Sequence, residues 1–174
     1  MKGLREFEIP YVGLKIGVHH FNYDIDRKFF DHFEESPIHD CKVRVKVDFE
    51  KKETFFILNF FIDGTVHAEC DRCLVPFEKE IFGDYTCYVK FSENADKLTD
   101  EDEIIFISRE QTVIDLSQLI YEYVNLCLPI KKTGCENPGK EPFCNQEVLK
   151  YLDGANEKTN EEDPRWAALK KLKD

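Results

Sequence analysis

The chain has no uninterrupted apolar run approaching the roughly 18 residues of a membrane span, so a membrane protein built on helices is not expected. Its first residues, "MKGLREFEIPYVGLKIG", carry glutamates at positions 6 and 8 and no apolar core, which excludes a secretory signal and points to a cytoplasmic location. Positive charge is also in short supply. Against 35 Asp and Glu stand 24 Lys and Arg, a net charge of −11, and such a surface repels phosphate backbones unless its cations are gathered into a patch. Broad, direct nucleic-acid binding is disfavoured, whereas a basic protein partner, or solubility alone, accounts for the acidity. Several motifs are missing too: a His-Glu-x-x-His helix, a Gly-x-Ser-x-Gly elbow, a phosphate-binding glycine loop, a dinucleotide fingerprint and any internal repeat. The acidic stretch "SENADKLTDEDE" lacks the calcium-loop spacing and reads as a solvated loop.

What is present is material for one packed domain. The 174 residues are 42% hydrophobic and include 15 Phe, which argues against disorder and for a substantial core. "LREFEI" and "GVHHFNYDI" read as strands separated by turn residues, and "DRKFFDHFEES" as a short helix with Phe29, Phe30 and Phe33 on one side. His19 and His20 are strand neighbours and point to opposite faces, which argues against a shared ligand. "KVRVKVDFE" alternates strictly, as a half-buried antiparallel strand does. "TFFILNFFID" is apolar on both faces and suggests a central strand that is doubly covered or packed by a helix, broken at Gly64 and continued by "TVHAEC". Strands are also expected at "LVPFEKEIFGDY", at "YTCYVKF" and at "IIFIS". A helix is expected over 114–126, with Leu116, Leu119, Ile120 and Tyr123 on one face, and Pro129 ends it. "NQEVLKYLDG" reads as a second helix with Asn145 as N-cap.

The expected fold is α+β: a mainly antiparallel sheet or partly open barrel with a few helices, over residues 1–152. Residues 153–174 read as a polar linker and a short amphipathic tail helix. In "DPRWAALKKLKD", Asp163 is placed as N-cap and Pro164 at the first helical position, with Trp166, Leu169 and Leu172 at three-residue steps. A tethered amphipathic helix of this kind suits docking into a partner's groove, or it folds back on its own sheet. Its lysines make it the place where RNA contact is expected if there is any.

Seven cysteines in a chain without an export signal argue for reduced thiols rather than a disulfide framework. In "AECDRCLVPFE", Cys70 and Cys73 have the spacing of half a zinc site, and a tetrahedral thiolate site needs four ligands. Cys135 and Cys144, in and at the end of the irregular stretch "KKTGCENPGKEPFC", are the expected second half. Such a site has no open position and serves folding. A redox dithiol is the alternative, which would make the chain a metal- or thiol-dependent enzyme using Cys70 and Cys73. A thioredoxin-like thiol, however, sits at a helix N-terminus in a βαβ setting, and this pair follows a strand. Simple packing is the third reading. Cys41 and Cys87 read as structural, and Cys127 as core or as the rival for a ligand position.

The residues "CDRCLVPFE", "NLCLPI", the cysteine at 144 ahead of "EVLKYL", and "DPRWAALKKL" together resemble the YceD-like family, the large ribosomal RNA subunit accumulation proteins. The similarity runs loosely over nearly the whole chain, including "GVHHFNYDID". The resemblance implies a ribosome-assembly or RNA-stability factor rather than a metabolic enzyme. It matches Cys70, Cys73 and Cys144 to the family's recurrent cysteines, and Asp163, Pro164 and Arg165 to its tail motif. Where the family often has a histidine after Leu-Pro, this chain has "KKTGC" with Cys135. The expected function is therefore a non-enzymatic ribosome biogenesis factor with a structural zinc ion. Its expected partner is a ribosomal protein or large-subunit precursor particle, reached in part through Asp163, Pro164, Arg165 and Trp166, with mostly indirect contact to ribosomal RNA.

Overall fold

The structure, a computed structural model, describes residues 4–34, 36–93, 103–134 and 144–157. The chain divides into two compact units, one of residues 1–68 and 78–130, the other of residues 69–77 and 131–174. The first unit is built on five strands: β2 (Gly17–Ile25), β3 (Cys41–Lys51), β4 (Phe55–Glu69), β5 (Pro76–Phe91) and β6 (Ile104–Ile107). They lie in the order β2-β3-β4-β5-β6, so the sheet is open with β2 and β6 at its edges. A separate two-stranded ribbon pairs β1 (Glu8–Ile9) with β7 (Ile114–Asp115). The sheet is mostly antiparallel, as expected, with β6 running parallel to β5.

Alternation in the sequence sets which face is buried. Val43, Val45, Val47 and Phe49 of β3 lie inward, and Phe56, Leu58, Phe60 and Ile62 of β4 do the same. Their outward neighbours on β4 are exposed or half-buried, so this strand is central but packed on one face only. Gly64 does not break it. β4 passes through Gly64 at φ 159°, where a Cβ would lie 2.3 Å from the Lys42 carbonyl oxygen. A glycine is required there because the β3 backbone approaches too closely for any side chain.

The inward face is covered by elements that precede β3 and elements that follow β7. Helix α2 (Ser117–Leu126) buries Leu116, Ile120 and Val124 at its one apolar edge. It starts three residues later than the apolar periodicity suggests, because Ile114 and Asp115 pair with β1. The Asp115 carboxylate then accepts the Ser117 N–H at 2.8 Å and serves the first turn. From the other side come a 3-10 turn at Arg5–Phe7 and the short helix α1 (Arg27–Phe30). Only Glu8–Ile9 of "LREFEI" is a strand. Asp26 caps α1, accepting the Lys28 N–H at 2.9 Å. The join is aromatic: Phe7 meets Phe29 at 4.9 Å, Phe33 stacks on Tyr121 at 4.1 Å and Tyr85 stacks on Tyr123 at 4.6 Å. His19 and His20 lie on opposite faces of β2, and His20 Nδ1 is 2.6 Å from Asp48 Oδ1 across the β2–β3 pair.

In the second unit, helix α3 (Gln146–Glu157) opens on Asn145, whose side-chain oxygen accepts the Glu147 and Val148 N–H groups at 3.0 and 3.4 Å. The tail with its expected helix lies outside the described residues. No described helix is long and apolar enough to cross a membrane.

A candidate metal centre at the Cys70–Cys73 turn

Residues 70–75 join β4 to β5. The Cys70 N–H donates to the Val75 carbonyl at 3.0 Å, and the Leu74 N–H donates back to the Cys70 carbonyl at 2.8 Å. The turn closes through Leu74, which takes a left-handed conformation at φ 60° although its side chain is 63% exposed. A leucine pays conformational strain there without burial to offset it, so the backbone path is set by the surrounding bonds.

That path aims amides at sulfur. Backbone N–H groups of Arg72, Cys73 and Gly134, and the Cys73 thiol, all bond to Cys70 Sγ. Burial of Cys70 pushes its thiol pKa up, but these bonds outweigh it, and the net effect is a pKa lowered to about 6. Both sulfurs are enclosed, since Cys70 and Cys73 are each 1% exposed. Converging N–H donors stabilise a thiolate, and a thiolate is the form that binds metal.

Gly134 arrives from the segment after α2, which is fastened to the same turn. The Asp71 N–H donates to the Lys132 carbonyl at 2.8 Å, and the Asp71 carboxylate accepts the Lys132 N–H at 2.6 Å. Two residues on, Gly134 lies against the Phe77 ring so closely that a Cβ would sit 2.8 Å from a ring carbon. The glycine lets the segment after α2 reach Cys70 at all.

Cys135, the next residue in sequence, lies outside the described residues, as do Asp163, Pro164, Arg165 and Trp166. Cys144 is half-buried, immediately before the Asn145 cap. Among the described residues no three His, Cys, Asp or Glu side chains converge as a metal group. The structure thus brings Cys70 and Cys73 together, and adds no third described ligand. Cys41 and Cys87 are buried in the core, as their strand positions suggest. Cys127 is half-buried with its sulfur 3.7 Å from the Tyr85 hydroxyl. Burial pushes the Cys127 thiol up.

The donor set fits a zinc ion. Zinc is held by thiolates in a tetrahedron, and one turn presenting two enclosed sulfurs, one already favoured as thiolate, supplies half of it. With zinc bound, the amides of Arg72, Cys73 and Gly134 would form the outer shell that such sites require. Sequence reading found the cysteines but not this shell, because backbone donors leave no residue-type signature.

The chain matches the profile of the family described as Large ribosomal RNA subunit accumulation protein YceD over residues 58–173. It is similar to "Uncharacterized protein YlbN" of Bacillus subtilis (strain 168), at 29% identity over 143 residues, covering 78% of this chain and 75% of that one. No solved structure matches. The matched span begins within β4 and takes in the cysteine turn, α2, α3 and Cys70, Cys73, Cys135 and Cys144. On that match, which covers well over half of its length, this chain belongs to the YceD family.

Proposed function

We propose that this protein is a non-enzymatic ribosome biogenesis factor that supports accumulation of large-subunit ribosomal RNA in the cytoplasm. The family match over residues 58–173 carries the reading, and the absence of a phosphate loop or nucleophile motif in the sequence agrees with it. Its partner is a basic ribosomal protein or a precursor particle that presents one, since a chain of net charge −11 attracts cations and repels RNA phosphates. Contact with ribosomal RNA is mostly indirect, and Asp163, Pro164, Arg165 and Trp166 of the tail contribute to the partner contact.

A structural zinc ion belongs to the same reading. Cys70, Cys73, Cys135 and Cys144 would hold it, and all four fall in the sequence ranges of the second unit. Bound there, zinc supplies an electrostatic cross-link between the turn after β4 and the segment after α2. The lowered Cys70 pKa also suits a reactive thiol, but sulfurs at 1% exposure have no room for a substrate, which favours the structural role.

Sucrose-gradient profiling of ribosomal particles from cells with and without the protein tests the function. Depleted large subunits and large-subunit RNA, restored by the intact chain, are the expected result. Unchanged profiles would remove the claim.

A further inference from the structure

The outward face of the sheet has no covering layer among the described residues of its own unit, and its β4–β5 side has a distinct chemistry. Phe82 is 83% exposed and Phe61 41% exposed. Glu78, Glu80 and Asp84 share the outward row of β5 with Phe82, and Asp63 is exposed on β4. None of these carboxylates has an ion-pair partner within 4.0 Å among the described residues.

Exposure of Phe82 is built into the register. Alternation along β5 would bury Phe82 only by a one-residue slip, which would put a side chain where Gly83 now lies. On that inner side a Cβ would meet Cys127 Sγ at 2.6 Å and the Tyr85 ring at 2.9 Å. The space is full, so the large ring is held in solvent.

Cations on the same face stand on β3, and Lys90 follows toward the far end of the outward row of β5. Arg44 is in register with Asp24 on one side and Asp63 on the other, so its charge is locally compensated. Lys42 and Lys46 stand opposite Thr65 and Phe61. Over residues 78–84 of β5 the face is therefore acidic and aromatic, which disfavours a phosphate backbone lying there.

We propose that the outward β4–β5 face docks an extended, lysine- and arginine-rich segment of a protein partner. The proposal rests on the reading above, that the partner is basic, and assigns it a surface. An extended segment repeats its side chains on one face every ~6.6 to 7 Å, the same step that separates Glu78, Glu80, Phe82 and Asp84 along β5. Alternate cations of the partner then meet Glu78, Glu80 and Asp84. The Phe82 ring takes a guanidinium over its face and gives the contact its specificity.

Fluorescence anisotropy of the full chain with a labelled 12-residue peptide of alternating arginine and threonine tests this. Phe82→Ser, which leaves the charge unchanged, is expected to weaken binding about tenfold or more. Glu80→Lys is expected to weaken it more than Glu110→Lys, which makes the same charge change on a distant exposed loop. Equal binding by the wild type and Phe82→Ser, or equal loss from the two lysine variants, would overturn the proposal. Preference for a 12-nucleotide single-stranded RNA over the peptide would overturn it as well. Circular dichroism shows that the variants fold. Profiles from cells separate the two ideas: a normal profile without the protein removes the proposed function. A defect that Phe82→Ser repairs fully removes only this docking surface.

Discussion

Asp71 and Lys132, 61 residues apart, are joined twice, by the Asp71 N–H to the Lys132 carbonyl and by the Lys132 N–H to the Asp71 carboxylate. This pair of bonds holds the segment after α2 against the cysteine turn, and so brings the Gly134 amide to Cys70 Sγ. The candidate metal centre depends on that clasp.

Replacement of Cys70 or Cys73 by serine tests the centre directly. Purified wild-type protein is expected to contain one zinc per chain by elemental analysis, and either variant to lose it. The melting temperature is expected to fall by roughly 10 °C or more in the variants, because metal binding at such a site contributes to folding. Cys127→Ser is expected to keep its zinc. Full zinc in Cys70→Ser would show that the turn is not a ligand.

Gly134→Ala adds one methyl group against Phe77, at 2.8 Å from the ring before relaxation. Displacing Gly134 removes an outer-shell amide while keeping every cysteine, so zinc affinity is expected to drop about 10- to 100-fold in a chelator competition. Phe77→Leu in the same chain should recover part of the loss. An unaltered affinity would mean that the amide has no part in metal retention.

Gly64→Ala concerns stability alone. With φ at 159° and the Lys42 carbonyl 2.3 Å from the new methyl, neither backbone can adjust without breaking the β3–β4 pairing. The expected loss is about 2 to 4 kcal/mol in urea unfolding. Gly13→Ala, where nothing lies within 4 Å, is the matched control and is expected to change little.

Cys41 sets an alkaline limit. Burial, followed by the nearby Asp26 and Asp40 carboxylates, pushes its thiol from 9.0 up to about 12. The native chain therefore binds this proton more tightly than the unfolded chain. Stability from Cys41 is complete below about pH 9 and is lost as the pH climbs toward 12. Tyr23, whose hydroxyl burial raises to about 12, acts in the same direction from its ordinary value. Denaturant titrations between pH 8 and 11 are expected to show a falling midpoint with a shallower slope in Cys41→Val. Identical slopes would assign the loss to other groups.

Alternation made β2 and β3 legible to the residue or nearly so, since "GVHHFNYDI" is β2 and "KVRVKVDFE" lies within β3. The β6 direction was not legible, because the four residues of "IIFI" look the same whether the strand runs parallel or antiparallel. The start of α2 was misplaced because Ile114 fits both a helix face and a strand, and tertiary pairing with Ile9 decides between them. At the candidate metal centre, residue types announced Cys70 and Cys73. The bond from Gly134 was hidden, since it joins residues separated in sequence by β5, β6, β7 and α2.

The strand order also sets a timetable. From β2 to β5 each strand lies beside its neighbour in sequence, so these pairings close short loops and can form early. The β1–β7 ribbon joins Glu8 to Asp115 and Ile9 to Ile114, and must wait until nearly all the intervening chain is in place. Pulse-labelled amide exchange during refolding should therefore find β3 and β4 protected before Ile9 and Ile114, and simultaneous protection would refute the sequence of events. On this schedule the N-terminal segment closes over an already formed sheet, as the last step rather than the first.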